Sequence, residues 1–110
     1  MLFDKITIIG IGLIGSSLAR VIMKKGLAGK LCACDKNKEY LAEARELGIV
    51  DEISEDLGKA VENADLVVYA TPVGAYGEIT RQIVPHLKKG VILTDVGSIK
   101  KYSIREIEEN

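Results

Sequence analysis

Apolar residues in this chain fall into short runs that alternate with amphipathic stretches. Ile6, Ile8 and Ile9 form a β-branched run that predicts a strand over 5–9, buried on both faces. Leu13, Ile14, Leu18, Val21 and Ile22 then recur at helical spacing, predicting a helix from about Leu13 to Lys25 whose stop is framed by Gly26 and Gly29. A second strand is expected over 30–35. Asn37 caps a helix through Tyr40, Leu41, Ala44 and Leu47, closed by Gly48. Ile49, Val50 and Ile53 predict a weak third strand, and Ser54 a cap for a short helix over 55–62. The run over 64–70 predicts a central parallel strand. Ile79, Ile83, Val84 and Leu87 stripe a helix over about 76–87, in which Pro85 kinks or shortens the last turn. A fifth strand over 91–94 and the start of a helix over 99–109 complete the pattern.

Regular alternation of strand and helix predicts an α/β fold, a Rossmann-type doubly wound parallel sheet in three layers α/β/α. The chemistry gathers at the first strand–helix junction. Gly10, Gly12 and Gly15 have the spacing G-x-G-x-x-G there, and Asp35, 20 positions after Gly15, ends the next apolar run. Gly10 permits a tight turn, Gly12 lets a pyrophosphate approach bare backbone, and Gly15 lets helix and strand pack closely. The helix N-terminus then offers free N–H groups and a positive dipole end to the phosphate charge.

In an open parallel sheet, ligands sit beyond the carboxyl ends of the strands. Four groups fall there: residues 10–15, Asp35, the triplet Thr71-Pro72-Val73, and residues 95–98. Asp35 is expected to accept hydrogen bonds from the adenosine ribose and to favour NAD over NADP by at least about tenfold. Lys36 beside it works against that preference. The turn at Thr71-Pro72 holds backbone against the cofactor's ribose region. Ser98, next to the permissive Gly97, is the candidate nearest the reacting ring, and it also suits the cap of the following helix. Lys100 stands as an open alternative between ligand contact and surface charge. His86, the only histidine, is poorly placed for hydride-transfer chemistry.

Composition narrows the partners. A length of 110 residues suits one domain, 1–110, and the formal net charge of −1 points away from nucleic acid. The N-terminus shows no signal peptide and no apolar stretch is long enough to span a bilayer, so a cytoplasmic location is expected. Cys32 and Cys34 lie on one strand face, too close along an extended chain to bond easily. They are too few for a metal site and read as small buried hydrophobes in a reducing compartment.

Three segments carry a family resemblance: residues 9–19, Asp65-Leu66-Val67-Val68 with Thr71-Pro72-Val73, and Thr94-Asp95-Val96-Gly97-Ser98-Ile99-Lys100. Together they resemble the prephenate/arogenate dehydrogenase family of tyrosine biosynthesis. The resemblance implies that Gly10, Gly12, Leu13, Ile14, Gly15 and Asp35 hold NAD, and that Thr71, Pro72 and Val73 line the cofactor cleft. It also implies that Ser98 sits by the nicotinamide and the ring hydroxyl of a small-molecule substrate, prephenate or arogenate. The family's catalytic histidine and its helical, substrate-binding and dimer-forming C-terminal domain have no counterpart in these residues. The chain alone is therefore expected to bind NAD weakly, to turn over little, and to self-associate through uncovered apolar surface. Two other readings stand beside this one: a stand-alone NAD-binding or redox-sensing module, and the cofactor domain of a β-hydroxyacid or imine reductase.

Overall fold

The computed structural model describes residues 2–96. Five strands form one parallel sheet in the order β3-β2-β1-β4-β5: β1 (Phe3–Ile9), β2 (Ala28–Cys34), β3 (Glu52–Ser54), β4 (Leu66–Tyr69) and β5 (Ile92–Asp95). Order reverses between β1 and its neighbour β4, the switch point at which doubly wound sheets open a crevice. The sheet is centred on β1, flanked by β2 and β4, and residues 6–9, 31–34 and 67–69 of these three inner strands are buried on both faces.

Side chains alternate between two cores. Ile6, Ile8, Leu31, Ala33 and Val68 face helices α1 (Leu13–Lys25) and α2 (Lys38–Glu46). Ile9, Val67 and Tyr69 pack with Val61 of α3 (Leu57–Val61) and Ile83 of α4 (Tyr76–Ile83) on the other face. Three layers result. Cys32 and Cys34 are buried and unbridged beneath Ala60 and Leu57 of that second layer. Thr7 is fully buried, and its hydroxyl donates to the Ala60 carbonyl at 2.6 Å, tying α3 to the sheet.

Local chemistry explains the boundaries. Gly26, in the left-handed region at φ 62°, closes α1 by donating to the carbonyls of Ile22 and Met23. Gly29 belongs to β2, which starts earlier than the apolar run alone suggests because Phe3 and Ala28 extend the register with β1. Asn37 caps α2 by accepting from the N–H groups of Glu39 and Tyr40. The cap of α3 is Asp56, which accepts from the Lys59 N–H, and Ser54 ends β3 and instead exchanges bonds with Asp56. Ile49 and Val50 are buried in the turn before β3 rather than within it. Pro85 ends the regular helix at Ile83 and leaves a 3-10 turn over Val84–His86, so Val84 points to solvent instead of joining the stripe. The helix expected over 99–109 lies outside the described residues.

Candidate functional site

The glycine turn follows β1 directly. Gly10 has φ +97°, where L side chains are strained, and its N–H donates to the Cys34 carbonyl at 2.7 Å. A Cβ there would lie 2.8 Å from the Ala70 carbonyl oxygen and from Thr71 Cγ2. Gly15 is tighter still, since a Cβ would stand 2.1 Å from the Gly10 carbonyl oxygen. Gly12 differs: it forms the N-terminal cap position of α1 with no side-chain cap bond, and the nearest atom to its missing Cβ is Tyr40 Cε2 at 4.0 Å. Two glycines therefore let backbone meet backbone, and the third leaves the helix N-terminus open to a ligand.

Asp35 stands one residue beyond β2, half-buried. One carboxylate oxygen accepts the Ile11 N–H at 2.8 Å and the other the Asn37 N–H at 2.9 Å. The sequence signal for Asp35 is its offset from the glycines; its grip on the turn itself is visible only in three dimensions.

A cleft of about 680 Å³ opens beside the turn, between α3 and α4. Gly10, Asp35, Thr71 and Pro72 meet on its wall, joined by Lys36. Thr71 Oγ1 is buried without a hydrogen-bond partner, an unmet capacity of the kind a ligand satisfies. Carboxylates of Asp35, Glu55, Asp56 and Glu78 border the space, against Lys36 and the ring of His86. Cys34 also reaches this wall, but burial, with smaller contributions from Cys32, Asp35 and Asp56, pushes its thiol up to about 12. It is thus neutral at physiological pH and no nucleophile.

The remaining predicted positions separate. Gly12 and Leu13 line a second, smaller cleft of about 320 Å³ between α1 and α2, with Arg20, Tyr40 and Glu43. Leu13 and Ile14 expose their side chains. Val73 starts a 3-10 turn over Val73–Ala75 and is exposed, outside the lining of the larger cleft, because Pro72 turns the chain away. Ser98 and Lys100 lie outside the described residues. Sequence reasoning gave His86 no role, yet its ring packs where a Gly58 Cβ would fall, within 2.7–2.9 Å of three ring atoms, and forms part of the cleft wall. The signal available was Gly58 itself, a glycine within a short helix.

Residues 18–110 match the model of the family described as prephenate dehydrogenase, nucleotide-binding domain. The cyclohexadienyl dehydrogenase of Zymomonas mobilis is 39% identical over 108 residues, covering 98% of this chain and 37% of that protein. A crystal structure of prephenate dehydrogenase from Aquifex aeolicus in complex with hydroxyphenyl propionate and NAD+ is similar with a TM-score of 0.77 and 28% identity, over 84% of this chain and 32% of that one. A Synechocystis arogenate dehydrogenase structure gives a TM-score of 0.76 and 31% identity, over 83% and 32%. The chain thus spans about a third of the length of these relatives. From the middle of its first helix onward it carries the family's pattern, and it belongs to the prephenate dehydrogenase nucleotide-binding domains.

Proposed function

We propose that residues 1–110 form one NAD-binding domain of a dehydrogenase acting on prephenate or arogenate. The observation that carries the cofactor half is the glycine turn: an uncapped helix N-terminus, open space at Gly12, and a fixed carboxylate at Asp35. Those features fit a diphosphate flanked by a ribose. The adenosine half would occupy the larger cleft, where Thr71 Oγ1 awaits a partner and Asp35 meets the ribose hydroxyls. Four bordering carboxylates disfavour a 2′-phosphate, so NAD is preferred to NADP.

The substrate half rests on the relatives, whose names include prephenate, arogenate and cyclohexadienyl dehydrogenase. Bound NAD supplies a hydride acceptor for oxidation of a ring carbinol with loss of a carboxyl group as carbon dioxide. The domain's own residues bind and orient that acceptor. Ser98 is assigned beside the substrate hydroxyl on its motif alone. A cytoplasmic site of action belongs to the same reading. No helix among the described residues is long and apolar enough to cross a membrane. Self-association is supported by the apolar side chains of Ile92 and Leu93 exposed on β5 at the sheet edge.

Calorimetric titration of the 110-residue chain tests the cofactor half. NAD should bind at least about tenfold more tightly than NADP, and binding of neither at millimolar concentration overturns the reading. Supplying the remaining two thirds of a full-length relative in trans tests the substrate half through NADH formation from prephenate or arogenate.

A further inference from the structure

The bonds made by Asp35 carry a second role for that side chain. Its two oxygens are engaged by main-chain donors on opposite sides, Ile11 in the glycine turn and Asn37 at the start of α2. Ile11 sits between Gly10, at φ +97°, and Gly12, the cap position of α1. Its side chain is buried in the core under α1 and α2, so the N–H bond and the apolar anchor hold the same residue from two directions. Asn37 in turn caps α2 through its own side chain. A continuous chain of bonds therefore runs from the glycine turn through one carboxylate to the second helix.

We propose that Asp35 is a positioning residue for the glycine turn, holding the Ile11 amide so that the N-terminus of α1 is set for a diphosphate before a ligand arrives. This inference rests on the dinucleotide reading and goes beyond the ribose contact. A turn built on glycines has many conformations to lose, and one charge-assisted bond to its centre removes a large share of them. Each carboxylate oxygen keeps a second lone pair, so the same group meets ribose hydroxyls without releasing the turn. Binding then finds the phosphate cradle and the ribose acceptor already ordered, which lowers the ordering cost of association.

The two roles separate with an NAD analogue whose adenosine ribose lacks its 2′ and 3′ hydroxyls. Wild-type chain is titrated with NAD and with this analogue, and Asp35→Ala with both. If Asp35 acted on the ribose alone, the variant and wild type would bind the analogue equally, and that result overturns the proposal while leaving NAD binding intact. A positioning role predicts that Asp35→Ala binds the analogue about tenfold more weakly than wild type, with faster hydrogen exchange at the Ile11 amide. Asp35→Asn keeps one carbonyl oxygen for the Ile11 N–H and should recover part of that loss. Should Asp35→Ala not fold, Asp35→Ser, whose shorter side chain brings no oxygen to the Ile11 N–H, carries the test: analogue affinity and Ile11 exchange equal to wild type overturn the proposal, and losses of a few-fold support it. Absence of NAD binding by the wild type would instead overturn the dinucleotide reading, and this inference with it.

Discussion

Gly15 lies so close to Gly10 that a methyl group on its Cα would stand 2.1 Å from the Gly10 carbonyl oxygen, inside van der Waals contact. Backbone, not a movable side chain, blocks the space. Gly15→Ala should therefore cost about 3 kcal/mol or more in denaturant unfolding. Gly12→Ala is the control. Its Cβ meets nothing nearer than 4.0 Å, so stability should fall by about 1 kcal/mol or less, the loss of a preferred cap residue. NAD affinity should nevertheless drop at least about tenfold if the diphosphate approaches Gly12 as proposed, because the added methyl would occupy that space.

Gly58 and His86 form a second close pair, here between α3 and the turn after α4. Gly58→Ala pushes against an imidazole on an exposed turn, and the ring has room to swing away. A loss of about 1 kcal/mol is expected. In a His86→Ala background the same change should cost almost nothing. A double-mutant cycle by thermal denaturation reads the coupling directly, and additive losses would show that the contact is not the cause.

Asp65 clips the amino end of the sheet. Its carboxylate accepts a bond from Lys88 and from the N–H groups of Lys5 and Asp4. Those bonds, Lys88 first and the Lys5 amide next, hold its carboxyl below the ordinary value of 3.8. A depressed folded value means the unfolded chain binds the proton more readily, so the contribution is present above the ordinary value and is lost as pH falls through the folded one. The Tm should thus decline as acid is added below about pH 4, and Asp65→Asn should flatten that part of the profile.

Burial keeps both thiols protonated. Cys32 is pushed up to about 11 and Cys34 to about 12, in each case chiefly by removal from water. A thiol reagent at pH 8 should leave the native chain unmodified and label both cysteines after unfolding. Rapid labelling of the folded chain would contradict the buried packing against Ala60 and Leu57.

Ile92 and Leu93 point to opposite faces of β5 and are 52% and 41% exposed. The other edge, β3, is short and carries the Lys30–Glu52 ion pair at its border, a feature that blunts pairing. Association of the 110-residue chain is therefore expected on the β5 side. Light scattering should show mass rising with concentration, reduced by Leu93→Lys; a monomer at all concentrations would remove the expectation.

How much of this was legible beforehand follows from the range of the interactions involved. Periodicity and caps act within a few residues, so the strands, α1, the Asn37 cap and the Gly26 stop could be read from the chain alone. The glycine spacing marked the candidate site for the same reason, being a local device at the end of β1, and the offset to Asp35 follows from the length of one strand–helix–strand unit. Boundaries that depend on competing caps escaped: Asp56, not Ser54, holds α3, because Ser54 is committed to β3 and to Asp56 itself.

The sequence by itself determined the alternating elements, the parallel sheet and the glycine turn with its acid, all consequences of short-range sterics and hydrophobic spacing. Only the tertiary structure decided that Asp35 grips Ile11, that Thr71 keeps a buried hydroxyl unmet while Val73 turns outward, and that His86 closes against Gly58. Those contacts join residues 24 or more positions apart or depend on how chain ends meet beyond the sheet, and such meetings are set by packing of the whole core rather than by any local pattern.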